Sequence, residues 1–153
     1  MKTIDTIDLA NYIYSYGKES GLDLNLTQIQ KLMYIIYGWN LCRENEIDIT
    51  EQPQAWPYGP VFPRTMKKGR IKFGDQKDIN TDTSLTEIRK NEIFKTQVED
   101  IVKKYGKISA GKLSEWSHLE GSPWYKSKLN KNFQWGDQID DFLIKEYFRD
   151  FSF

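Results

Sequence analysis

The sequence has a single cysteine, Cys42, and a single histidine, His118. One cysteine excludes an internal disulfide and fits a reducing compartment. One of each also excludes the paired-cysteine and paired-histidine spacings that hold zinc. Net charge is absent as well, since 22 basic residues balance 22 acidic ones. A globally basic nucleic-acid binder or membrane-surface protein is therefore not indicated. The longest unbroken apolar run, residues 32–37, is too short to span a bilayer. The first eight residues carry acids where a secretory signal would need apolar side chains. These absences lead us to expect a cytoplasmic protein with no metal and no cofactor.

Prolines are few too, five in 153 residues, yet three of them fall within residues 54–63. There Gln54-Ala-Trp-Pro-Tyr-Gly-Pro-Val-Phe-Pro63 combines fixed backbone angles with Trp56, Tyr58, Val61 and Phe62. Gly59, before Pro60, is free to take a sharp conformation. A stretch this stiff and apolar reads as a buried corner that opens a helix, with Pro60 in its first turn. Trp56 or Tyr58 is also a candidate contact surface.

Along the rest of the chain, Asp5 or Thr6 is placed to cap a helix with Leu9, Ala10, Ile13 and Tyr16 on one face, ending by Gly17 to Gly21. Asn25 and Gln28 form the polar pair of a capping box for a second helix, apolar on nearly every side and hence central. The alternation at Ile47-Asp-Ile49 suggests a strand that pairs with residues 54–56. A short helix is expected over residues 61–68, then an exposed loop from Gly69 to Thr83. A long helix from Thr83 or Ser84 to Tyr105 follows, with Gly106 closing it. Ser109 and Ser122 cap two further helices, Pro123 standing in the first turn of the second. The last helix is expected from Asp137 or Gln138 to Phe151 through Ile139, Phe142, Leu143 and Tyr147. The chain thus reads as mainly α, one domain over residues 1–153: a compact bundle of about six to seven helices with a short β-hairpin and a proline-rich corner near residues 47–63.

Gln30-Lys31-Leu32-Met33-Tyr34, then Ala55-Trp56-Pro57-Tyr58-Gly59-Pro60-Val61-Phe62-Pro63, then Leu113, Ser117-His118 and Ser122-Pro123-Trp124 appear in this order. Together they resemble the signature of the Panacea domain, the SocA-like antitoxin family that also includes phage-associated GepA-type proteins. The resemblance covers about residues 6–148. It implies a mostly helical, non-enzymatic module that neutralises a cognate toxin, encoded nearby, by direct protein–protein binding. The resemblance also brings in a protease as a partner, since at least one member type works as an adaptor delivering its toxin to one. The partner-binding candidates carried over from the motif are Trp56, Tyr58, Gly59, Pro60, His118 and Trp124.

Other chemistry is imitated rather than present. Gly106-Lys-Ile-Ser-Ala-Gly111-Lys112 mimics a phosphate-binding loop, but Leu113 stands where Ser or Thr is required. Asp78-Ile-Asn80-Thr-Asp82 mimics a calcium loop without its glycine and glutamate. Cys42 and His118 allow a nucleophilic pair on paper; a half-buried thiol, and a histidine that bonds its own helix end or packs on Trp124, are the plainer readings. Charge is unevenly spread. Residues 64–77 hold Arg64, Lys67, Lys68, Arg70, Lys72 and Lys77 against Asp75, an excess of five, whereas residues 137–150 carry an excess of three acids. The acidic stretch suggests steering of a basic toxin. The basic one supports an alternative function, a phage or mobile-element regulatory protein that associates with nucleic acid, with Phe73 as a stacking face.

Overall fold

The computed structural model describes residues 2–43 and 47–153. Asp5 caps α1 (Thr6–Glu19), its carboxylate accepting from the amide of Ile7 at 2.7 Å. The capping box forms as the sequence predicts at α2 (Leu26–Leu41): Asn25 Oδ1 accepts from Gln28 N at 2.9 Å, and Gln28 Oε1 from Asn25 N at 3.0 Å. Every residue of α2 from Ile29 to Gly38 is buried. The helix is the hub, packed against α1, α4 (Glu92–Tyr105), α5 (Ala110–Ser117), α7 (Asp141–Arg149) and β4 (Gly59–Val61). Gly38 permits the closest of these approaches, since a Cβ there would overlap the ring of Phe148. The remaining helices, α3 (Thr86–Lys90) and α6 (Pro123–Lys128), are short, and the mainly α expectation holds.

The β pairings differ from expectation. β2 (Ile47–Ile49) pairs in parallel with β1 (Lys2–Ile4), not with residues 54–56. The hairpin is instead β3 (Gln54–Trp56) against β4, with Trp56 opposite Gly59 and Pro57-Tyr58 as its turn. The other edge of β3 is already occupied. Ala55 N donates to Asp137 O at 2.8 Å, Gly136 N to Ala55 O at 2.9 Å and Ile139 N to Pro53 O at 2.9 Å. Pro60 consequently lies in a strand opposite Ala55 rather than in a helix. Pro63 opens only a 3-10 turn, Pro63–Met66, after which Lys67 is extended at ψ 136°.

Two helices are shorter than their apolar periodicity implied. The long one breaks at Asn91, whose side chain donates to Glu87 O at 2.7 Å and competes with the helical ladder. A 3-10 turn and α3 precede the break, and α4 follows it. The last helix begins at Asp141, because Gln138 bridges to Gln54 and Asp140 serves as its cap. Ile144 and Phe148 then form the buried stripe, and Phe142 is 69% exposed.

Candidate partner-binding corner

The hairpin turn poses a hydrogen-bonding problem, because its prolines have no N–H and its strands are three residues long. Its carbonyls take partners from elsewhere in the fold. Side chains supply them. Trp56 O accepts from Nε1 of Trp124 at 2.7 Å, and Pro57 O faces Nε2 of His118 at 3.0 Å. Tyr58 O accepts from Ser114 Oγ at 3.2 Å, and Pro60 O from Lys31 Nζ at 3.2 Å. Phe62 O accepts from Thr65 Oγ1 at 2.7 Å, and Gln30 Oε1 accepts from Phe62 N at 2.8 Å. Gln30 and Lys31 come from α2, Ser114 from α5, His118 from its end, and Trp124 from α6. The three separated sequence blocks thus meet on one turn.

Gly59 is required where it stands. Its φ is +115°, and a Cβ would fall 2.6 Å from Ser117 Oγ and 3.1 Å from Lys31 Cε. Lys31 is 2% exposed, and burial lowers its ammonium to a pKa of about 8. His118 presents both ring nitrogens to carbonyls, Nδ1 to Ser114 and Nε2 to Pro57. A neutral ring donates to one of them, and the imidazolium to both. Its ring lies edge-on to Trp124 with centroids 4.3 Å apart. Both structural roles expected of His118 are therefore present.

The structure brings all six sequence candidates together but places them at different depths. Gly59, Pro60 and Trp124 are buried, and Trp56 and His118 are half-buried. Tyr58 stands at the tip, 66% exposed. Beside Trp124 lies Trp135, 51% exposed, its ring centroid 5.9 Å away. The sequence showed Gln30 and Lys31 only as part of the motif, not as holders of the turn, and Ser114 and Trp135 did not stand out in it. A lysine inside a helix apolar on every side was the available signal for Lys31. Nothing local marked Ser114 or Trp135.

Other features lie elsewhere. Cys42 Sγ sits 3.7 Å from Lys145 O, and burial raises its thiol pKa. No hydrogen bond links it to His118. Among the described residues, no three His, Cys, Asp or Glu are grouped to hold a metal ion. None of the helices described is long and apolar enough to cross a membrane. Asp137, Asp140 and Asp141 are engaged in the fold: they accept from Gln134 N, Phe142 N and Tyr37 Oη at 2.9, 2.8 and 2.6 Å.

The fold and its corner define a small helical module that presents a turn tethered by side chains from α2, α5 and α6. The model of the antitoxin SocA-like family, Panacea domain, matches residues 29–125. The chain belongs to that family. Antitoxin SocA of Caulobacter vibrioides (strain NA1000 / CB15N) is 26% identical over 158 aligned positions, covering 97% of this chain and 84% of the relative. No solved structure matches.

Proposed function

We propose that this protein is a cytosolic antitoxin that silences a toxin encoded beside it by direct binding, without catalysis. The whole chain, residues 1–153, acts as one domain. The docking surface is centred on the corner: Tyr58 and Trp56 make contact, while Gly59, Pro60, His118 and Trp124 hold them in place. One observation carries this reading. A hydrogen-bond network drawn from α2, α5 and α6 fixes a turn whose tip residue, Tyr58, is 66% exposed and contributes little to the core. Pre-ordering an aromatic side chain in this way lowers the entropic cost of binding, and tyrosine and tryptophan are favoured anchors of protein interfaces.

The test is co-production of the chain with the product of the neighbouring reading frame. Tyr58→Ala is expected to leave thermal stability within about 0.5 kcal/mol of the parent, as for other surface substitutions. It should weaken toxin capture at least ten-fold, which corresponds to about 1.4 kcal/mol. Full neutralisation by a Tyr58→Ala, Trp56→Ala double variant that remains folded would place the interface elsewhere.

A further inference from the structure

The basic loop that follows the corner is a built feature. Asn11 on α1, 2% exposed, donates from Nδ2 to Arg70 O at 2.9 Å and accepts from Lys72 N at 2.8 Å. Tyr14 Oη accepts from Gly74 N at 2.8 Å, and Ser15 Oγ from Lys77 N at 3.0 Å. These three residues share one face of α1, at spacings of three and four. They spend side-chain hydrogen bonds on fixing a loop backbone, and Ile71, 5% exposed, anchors it.

What the loop displays is positive charge. Lys68, Arg70, Lys72 and Lys77 line one hollow of about 330 Å³ against α1. Lys77 is engaged by Ser84 at 2.8 Å and Asp82 at 3.9 Å. Among the acids nearby, Asp5 is engaged by Arg64 at 3.0 Å, Asp8 on α1 lies in the field of Lys77 and Arg64, and Asp75 and Asp78 are exposed on the loop. The side chains of Lys68, Arg70 and Lys72 have no ion pair or hydrogen bond among the described residues. Like charges gathered on a fixed backbone repel each other and return nothing to the fold. Phe73, on the same loop, is 48% exposed, with its ring 5.1 Å from that of Tyr14. Cations beside an exposed ring suit a chain of phosphates bearing planar bases.

We propose that this α1-clamped loop is a binding site for single-stranded nucleic acid, with Lys68, Arg70 and Lys72 on the phosphates and Phe73 against a base. The site is built on elements other than those holding the corner, so it operates independently of toxin binding. Fluorescence anisotropy of the full chain with a labelled single-stranded oligonucleotide tests it. Affinity is expected to fall with salt at a log–log slope of about −0.7 per phosphate contacted, or roughly −2 for three cations. The triple variant Lys68→Ala, Arg70→Ala, Lys72→Ala should flatten that slope toward zero with an unchanged melting temperature. Phe73→Ala should weaken binding by about five-fold or more at any salt. Tyr58→Ala should bind the oligonucleotide like the parent even where it fails to capture toxin, which separates the two sites. No binding at about 50 mM salt, equal binding of polyglutamate, displacement by inorganic phosphate at matched phosphate concentration, or undiminished binding by the triple variant would each overturn the proposal.

Discussion

Trp124 reaches across 68 residues of chain to donate its indole N–H to the main-chain carbonyl of Trp56 at 2.7 Å. The contact joins the last block of the family motif to the middle one. It explains why a tryptophan follows the Ser122-Pro123 helix start, where any large apolar residue would satisfy packing alone. Trp124→Phe keeps a ring and removes the donor from this part-buried carbonyl. Chemical denaturation should show a loss of about 0.5–1.5 kcal/mol, the usual net contribution of one hydrogen bond. A loss below that range would mean that packing, not the hydrogen bond, fixes this residue.

Lys31 makes stability depend on pH in a predictable direction. Its pKa is about 8 when folded, against an ordinary lysine value of 10.5. The unfolded chain thus binds more protons between those limits, and unfolding free energy rises with pH across them. The contribution is complete above 10.5 and is lost as pH falls through 8. Lys31→Met should remove this slope, so the difference between parent and variant isolates the lysine. Its ceiling is about 3 kcal/mol at roughly 1.4 per pH unit. The comparison is needed because Tyr12, Tyr34 and Tyr37, all raised chiefly by burial, act in the opposite sense above pH 10. Identical pH profiles for the two proteins would show that the ammonium is solvated.

Tyr34 occupies the centre of α2 with its ring 5.3 Å from Phe148 and 6.1 Å from Trp116. Its hydroxyl is buried and has no hydrogen-bond partner. Tyr34→Phe removes an unpaired polar atom while keeping the ring. It should therefore raise stability by about 1 kcal/mol or more, as burial without a partner is costly. A melting temperature that falls instead would reveal a partner for the hydroxyl.

Steering of a basic toxin by the final helix is best tested away from its start. Asp137, Asp140 and Asp141 accept hydrogen bonds that cap or anchor the segment, so reversing them damages the fold before it reports on association. Glu146 and Asp150 are exposed on the same helix end. Glu146→Lys with Asp150→Lys should slow toxin association several-fold at low salt and little at high salt, since such attraction is screened over about 10 Å at 0.1 M. An unchanged association rate would leave the acidic face as solvated surface.

The sequence alone determined those elements whose signals are local. Asp5, Asn25 with Gln28, Ser109 and Ser122 cap helices because a cap needs only residues within one turn of each other. The all-round apolar character of α2 likewise announced its central place. It also carried the motif residues of the corner, whose grouping is legible as a family pattern. What tertiary structure alone decided is which groups become partners. β2 turned to β1 because the segment around Asp137 had taken the free edge of β3, a competitor more than 80 residues away. Whether an aromatic residue of the corner is frame or contact was equally invisible. Trp124 is buried and Tyr58 exposed through the packing of α5 and α6 on the turn. Burial depends on what closes over a residue from elsewhere in the chain, and the residue type at one position does not specify that.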